Sequence, residues 1–151
     1  MWPFNRKKPL FTKEEDATLV NSIKNAEKET SGEIRVFVES RCKYVDPLDR
    51  ANEIFNVLKM DETELRNGVL FYIAVRDQQL AIYADKGIHE ATGQEHWKND
   101  VKEILAIFSK ESVVAGMCTA ITKIGQALKN HFPYDPEVDK NELPDEIIFG
   151  H

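Results

Sequence analysis

The chain has 151 residues, of which 42% are apolar and 30% charged, with a formal net charge of −6 at pH 7. That length and balance fit one soluble globular domain burying roughly two-thirds of its surface. The acidic excess gives nucleic acid no electrostatic footprint and suits divalent cations or basic partners instead.

Residues 1–11 read as an N-terminal tail. Its basic cluster of Arg6, Lys7 and Lys8 lacks the apolar segment of a signal peptide, and the longest apolar run, residues 69–75, is far short of a bilayer span. Cys42 and Cys118 stand without metal-ligand spacing, as expected in a reducing compartment. We therefore expect a cytoplasmic location and no transmembrane segment.

Thr12 followed by Glu15 is a capping box, and Leu19, Val20, Ile23 and Ala26 recur behind it at helical spacing until Ser31-Gly32 stops the run. Next, Glu33–Glu39 alternates as a strand does, with Ile34, Val36 and Val38 on one face and Arg35, Phe37 and Glu39 on the other. Asp46-Pro47 is a cap with proline at the first helical position. It opens a second helix whose apolar face is Leu48, Ala51, Ile54, Phe55 and Leu58.

Residues 69–75 are an unbroken β-branched and aromatic run, the mark of a strand covered on both faces. The polar residues 76–79 then turn the chain into an antiparallel partner over residues 80–85. A third helix carries Trp97, Val101, Ile104, Leu105 and Phe108, and a fourth carries Val113, Val114, Met117, Ile121, Ile124 and Leu128. Residues 132–151 read as an acidic, proline-containing tail, irregular and clamped by Leu143, Ile147, Ile148 and Phe149, so that residues 12–131 form the single domain.

The order is helix, strand, helix, strand, strand, helix, helix. A helix between the first two strands implies a parallel crossover, and the short turn after the second implies an antiparallel hairpin. So apolar a sheet needs helices on both faces. The expected fold is an α/β/α sandwich around a small mixed sheet.

This routing brings three distant segments to one sheet edge. They are Glu33, the loop Asp61-Glu62-Thr63-Glu64 leading to Arg66-Asn67-Gly68, and Asp85-Lys86-Gly87 leading to His89-Glu90. Up to six carboxylates converge there, an unfavourable gathering unless a cation intervenes. Arg66 and Lys86 offset part of it, and the bland reading is a solvated acidic loop pair with Arg66 in an ordinary salt bridge. A hard divalent cation offsets more, with glycines 68 and 87 letting backbone carbonyls turn inward. Asp85 is the principal expected ligand, with Glu33, Asp61, Glu64 and Glu90 as partners. Ca²⁺ is the foremost candidate, and Mg²⁺ or Mn²⁺ the alternatives. Asp46, with Asp49 beside it, is the second choice, although helix capping accounts for both.

In these same residues the chain resembles the TPM-domain family. The matching segments are TSGEIRVFVES, RANEIFNVL, RNGVLFYIAV and DKGIHE, and the likeness runs from about Phe11 to His131. The resemblance implies an α/β/α sandwich and divalent-metal binding near the loops flanking the hairpin. Some members are described as acid phosphatases and others as partners of membrane complexes. Family members commonly place an aspartate before Asn-Gly, where this chain has Arg66. Most also carry a signal peptide and a membrane anchor, so this one looks like a stand-alone domain.

Two functions follow as expectations. One is a metal-binding regulatory or interaction module, with metal ions and another protein or a membrane complex as partners. The alternative is a metal-dependent acid phosphatase in which metal-bound water attacks, Arg66 and Lys86 receive the phosphate and His89 is the general acid.

Overall fold

The computed structural model describes residues 10–137 and 147–150. Helix α1 (Lys13–Glu27) starts at the capping box: the Thr12 hydroxyl accepts from the Glu15 N–H while the Glu15 carboxylate accepts from the Thr12 N–H. Strand β1 (Glu33–Glu39) follows. Helix α2 (Pro47–Val57) is capped by Asp46, whose Oδ1 accepts from the Leu48 N–H at 2.9 Å. The hairpin is β2 (Gly68–Ala74) and β3 (Gln79–Ala84), with Gln78 turning at φ 52°.

Helix α3 (Lys86–Thr92) comes next, then α4 (Gln94–Lys110), α5 (Val113–His131) and a short β4 (Ile147–Phe149). The sheet order is β3-β2-β1-β4. β1 lies parallel to β2, from Glu33 opposite Gly68 to Glu39 opposite Ala74, and parallel to β4 on its other side. β2 and β3 are antiparallel.

Alternation along the central strands divides the core in two. Ile34, Val36, Val38, Val69, Phe71 and Ile73 face the layer of α1, α4 and α5, where Leu19, Trp97, Ile104, Met117 and Ile124 are buried. Phe37, Leu70, Tyr72 and Ala74 face α2 through Ala51, Ile54 and Phe55. The expected α/β/α sandwich is the observed one.

Two elements go beyond the sequence reading. Residues 86–92 were expected to be a loop and are a seven-residue helix with one buried apolar side chain, Ile88. One buried position gives no period to read. Ile147, Ile148 and Phe149 join the sheet rather than clamping an irregular tail, and Leu143 lies outside the described residues. Among the described residues no helix is long and apolar enough to cross a membrane.

Candidate functional site

The three expected segments do meet at the amino ends of β1 and β2. The Glu33 N–H donates to the Asn67 carbonyl at 3.3 Å, the Asp85 N–H to the Gly68 carbonyl at 2.9 Å, and the Gly87 N–H to the Arg66 carbonyl at 2.8 Å. Glu33, Asn67 and Asp85 are buried there, at 2%, 1% and 4% exposure. Thr63, also buried, orders the approach: its hydroxyl accepts from the Asn67 N–H and its carbonyl from the Arg66 N–H, both at 3.3 Å.

Arg66 takes a left-handed conformation, φ 52°, which turns its side chain onto Asp85. Its Nε donates to Oδ2 at 2.7 Å and its Nη2 to Oδ1 at 2.9 Å, a two-pronged guanidinium–carboxylate pair. Asp85 Oδ1 also accepts from the Lys86 N–H at 2.8 Å, capping α3. Asp85 in return holds the Arg66 guanidinium above its ordinary pKa. Arg66 therefore does form the ordinary salt bridge of the bland reading, and its partner is Asp85.

The glycines act differently from expectation. Neither Gly68 nor Gly87 has a positive φ. A Cβ on Gly87 would lie 2.4 Å from the Leu65 carbonyl oxygen and 2.7 Å from that of Arg66. Gly87 is needed so that α3 can touch the 65–66 backbone, not so that carbonyls can face an ion.

The acidic crowd is also thinner than expected. Asp61, Glu62, Glu64 and Glu90 are solvent-exposed, as are Lys86 and His89, leaving Glu33 and Asp85 as the buried carboxylates of the rim. Among the described residues no three His, Cys, Asp or Glu side chains form a group that could hold a metal ion. Asp46, the second choice, sits on the loop leaving the carboxyl end of β1 and does not join the rim. What the rim does show is an orphan: Asn67 Nδ2 and Oδ1 are both buried without a hydrogen-bond partner among the described residues.

A second constellation, passed over in the sequence reading, lies at the opposite end of the sheet. There the carboxyl ends of β1, β2 and β4 border a cleft of about 1450 Å³. Its floor is Glu39, 5% exposed, which accepts from Arg50 Nε at 2.9 Å, from Arg50 Nη2 at 3.0 Å and from the Tyr72 hydroxyl. Arg50 also pairs with Glu53, which accepts from the Tyr44 hydroxyl. Burial pushes the Glu39 carboxyl up, but the hydrogen bonds from Arg50 and Tyr72 outweigh it and leave the group below the usual carboxylate range. The available signal was a glutamate ending the strand face that carries Arg35 and Phe37, with Arg50 and Glu53 three residues apart on the following helix.

The family model for the TPM domain matches residues 5–127. No curated protein matches the chain. Among solved structures it is similar to the BA42 protein of the psychrophilic bacterium Bizionia argentinensis. The two share 40% identity and a TM-score of 0.85, covering 96% of this chain and 99% of that one. It is also similar in fold alone to the N-terminal domain of the cg2496 protein from Corynebacterium glutamicum, at 12% identity and a TM-score of 0.61, covering 79% of this chain and 74% of that one.

Proposed function

The chain belongs to the TPM-domain family, and from that membership we propose that it is a binding module whose rim takes a divalent cation, Ca²⁺ foremost, in exchange for Arg66. The observation that carries this reading is Asn67. An amide 1% exposed with neither polar atom bonded is unfavourable by about 1–3 kcal/mol per unmet group, and such a group in a native fold calls for a bound water or ion. Amide and carboxylate oxygens are the donors Ca²⁺ prefers, so Asn67 with Asp85 supplies the start of a coordination shell that water completes.

Arg66 sets the terms of entry. Its guanidinium neutralises Asp85 as an ion would, and the residues fit a metal only once it swings away. Its side chain is 46% exposed and free to do so. With two buried carboxylates and a resident competitor, the reading calls for an affinity at the weak end, about 10⁻⁴ to 10⁻³ M. Exchange releases a cationic side chain to solvent, and that change of surface charge is what a protein partner would read. Cys42 and Cys118 are free, which supports reading the module as one of a reducing compartment, the cytoplasm.

Titration of ¹⁵N-labelled protein with CaCl₂, followed by amide shifts, tests the exchange. Wild type should show weak, saturable shifts at residues 66–68 and 85–87, R66A should saturate at least about tenfold lower calcium, and D85N should show none. Rim amides that stay put in both wild type and R66A up to about 10 mM calcium would defeat the proposal.

A further inference from the structure

The cleft at the carboxyl ends of the parallel strands stands about 20 Å from the rim, the length of the seven-residue β1. It therefore carries an inference that does not depend on the metal. In open α/β sheets, ligands bind outside the carboxyl ends of the strands, where successive connections leave toward opposite sides. Here the cleft lies outside the carboxyl ends of the parallel strands β1 and β4, beside the turn that leaves β2, without a second diverging crossover.

Size decides the class of occupant. Pockets that enclose a small molecule hold roughly 300–1000 Å³, and this open cleft of about 1450 Å³ exceeds them. Charge decides its sign. Three of the acidic side chains lining the cleft are already engaged: Glu39 by Arg50 and Tyr72, Glu53 by Arg50 and Tyr44, and Asp77 by Arg41 and the Cys42 N–H. Lys13, Lys43 and Arg76 line the same cleft, are exposed, and form no ion pair with a described residue. Asp16 is the fourth acidic side chain of the lining, so these three cations leave the cleft with a small cationic excess in a chain of net charge −6.

Apolar side chains complete the lining. Leu10, Tyr44 and Phe149 are 37%, 36% and 41% exposed, and Val45, which follows Tyr44 in the chain outside the lining itself, is fully exposed. Asp16 Oδ1, also in the lining, is buried without a hydrogen-bond partner among the described residues and can accept from a backbone N–H. We propose that the cleft docks an acidic peptide segment of a partner protein, its carboxylates on Lys13, Lys43 and Arg76 and its apolar side chains against Tyr44, Val45 and Phe149. Opposite charges around an apolar centre set register and speed of encounter, while the apolar contacts slow release.

The test uses a fluorescein-labelled octapeptide of alternating glutamate and leucine, its lysine–leucine counterpart, and phosphatidylserine vesicles. All are run in EDTA so that the rim takes no part. The acidic peptide should raise anisotropy saturably, perturb the amides of residues 41–45 and 149–150, and bind at least about tenfold more weakly to the double variant K43E/R76E and in high salt. V45S, a surface change that leaves the fold intact, should weaken binding without altering its salt dependence. Equal binding of the lysine peptide, undiminished binding by K43E/R76E, or capture by vesicles without peptide binding each overturns the proposal. So does a dimer that uses this face in sedimentation while the peptide is ignored.

Discussion

Asp85 illustrates how one side chain at a strand end can settle several local questions. It caps α3 through the Lys86 N–H, receives the Arg66 fork, and anchors the 85–87 backbone beside the 66–68 backbone. Gly87 makes that approach possible. We expect G87A to destabilise the protein by about 1–3 kcal/mol, because the new methyl meets two backbone carbonyl oxygens that cannot move independently of β2. Urea unfolding checks this: G87A as stable as wild type would mean that the 65–66 turn yields freely. The meeting of Asp85 with residues 66–68 was legible in the sequence because a four-residue turn dictates where the hairpin returns. The pairing of Asp85 with Arg66 was not, since it depends on a left-handed φ at a non-glycine residue that no pattern announces. Nor was the orphaned Asn67 amide, which is a property of what fails to surround it.

Legibility at the scale of elements follows the number of buried contacts each one makes. α1, α2, α4 and α5 each present a stripe to a sheet face, and the stripes were visible as helical periods. α3 buries only Ile88, and the three residues of β4 are too few to set a period, so both were misread or missed. Contact between helices adds a constraint that periodicity also hides. Gly125 of α5 faces α1 so closely that an added Cβ would lie 2.8 Å from the Ala26 Cβ. G125V should therefore cost about 1–3 kcal/mol by forcing the helices apart, although valine is an ordinary residue in an exposed helix. Paired substitution of Ala26 by glycine should recover part of that loss. A G125V protein of wild-type stability would show that α1 and α5 are not held at that crossing.

Along β1 lie two chemically different ends: a neutralised acidic rim at its start and, at its finish, a cleft of mixed charge with a small cationic excess. The cleft end is tied to α2 and to β2 through the Glu39 carboxylate. Glu39 at the strand's end holds Arg50 of α2 and Tyr72 of β2, so its ionisation bears on the packing of the helix against the sheet. The sign follows from the direction of the shift. Glu39 is held below the ordinary carboxylate range, near 4.3 in an unfolded chain, so its contribution is present above that pH and is lost as pH falls through the depressed folded value. Asp100 runs the other way: burial raises it, so its contribution is present at low pH and lost as pH rises through the raised folded value. The total pH profile mixes the two, and only a comparison with a variant isolates one. We expect wild type to lose more stability than E39Q between pH 5 and pH 3, measured by urea unfolding at each pH, because the glutamine keeps the shape of the network without a proton to gain. Parallel acid limbs for the two proteins would show that Glu39 is protonated alike in the folded and unfolded chain, and the Arg50–Glu39–Tyr72 link would then contribute nothing through charge.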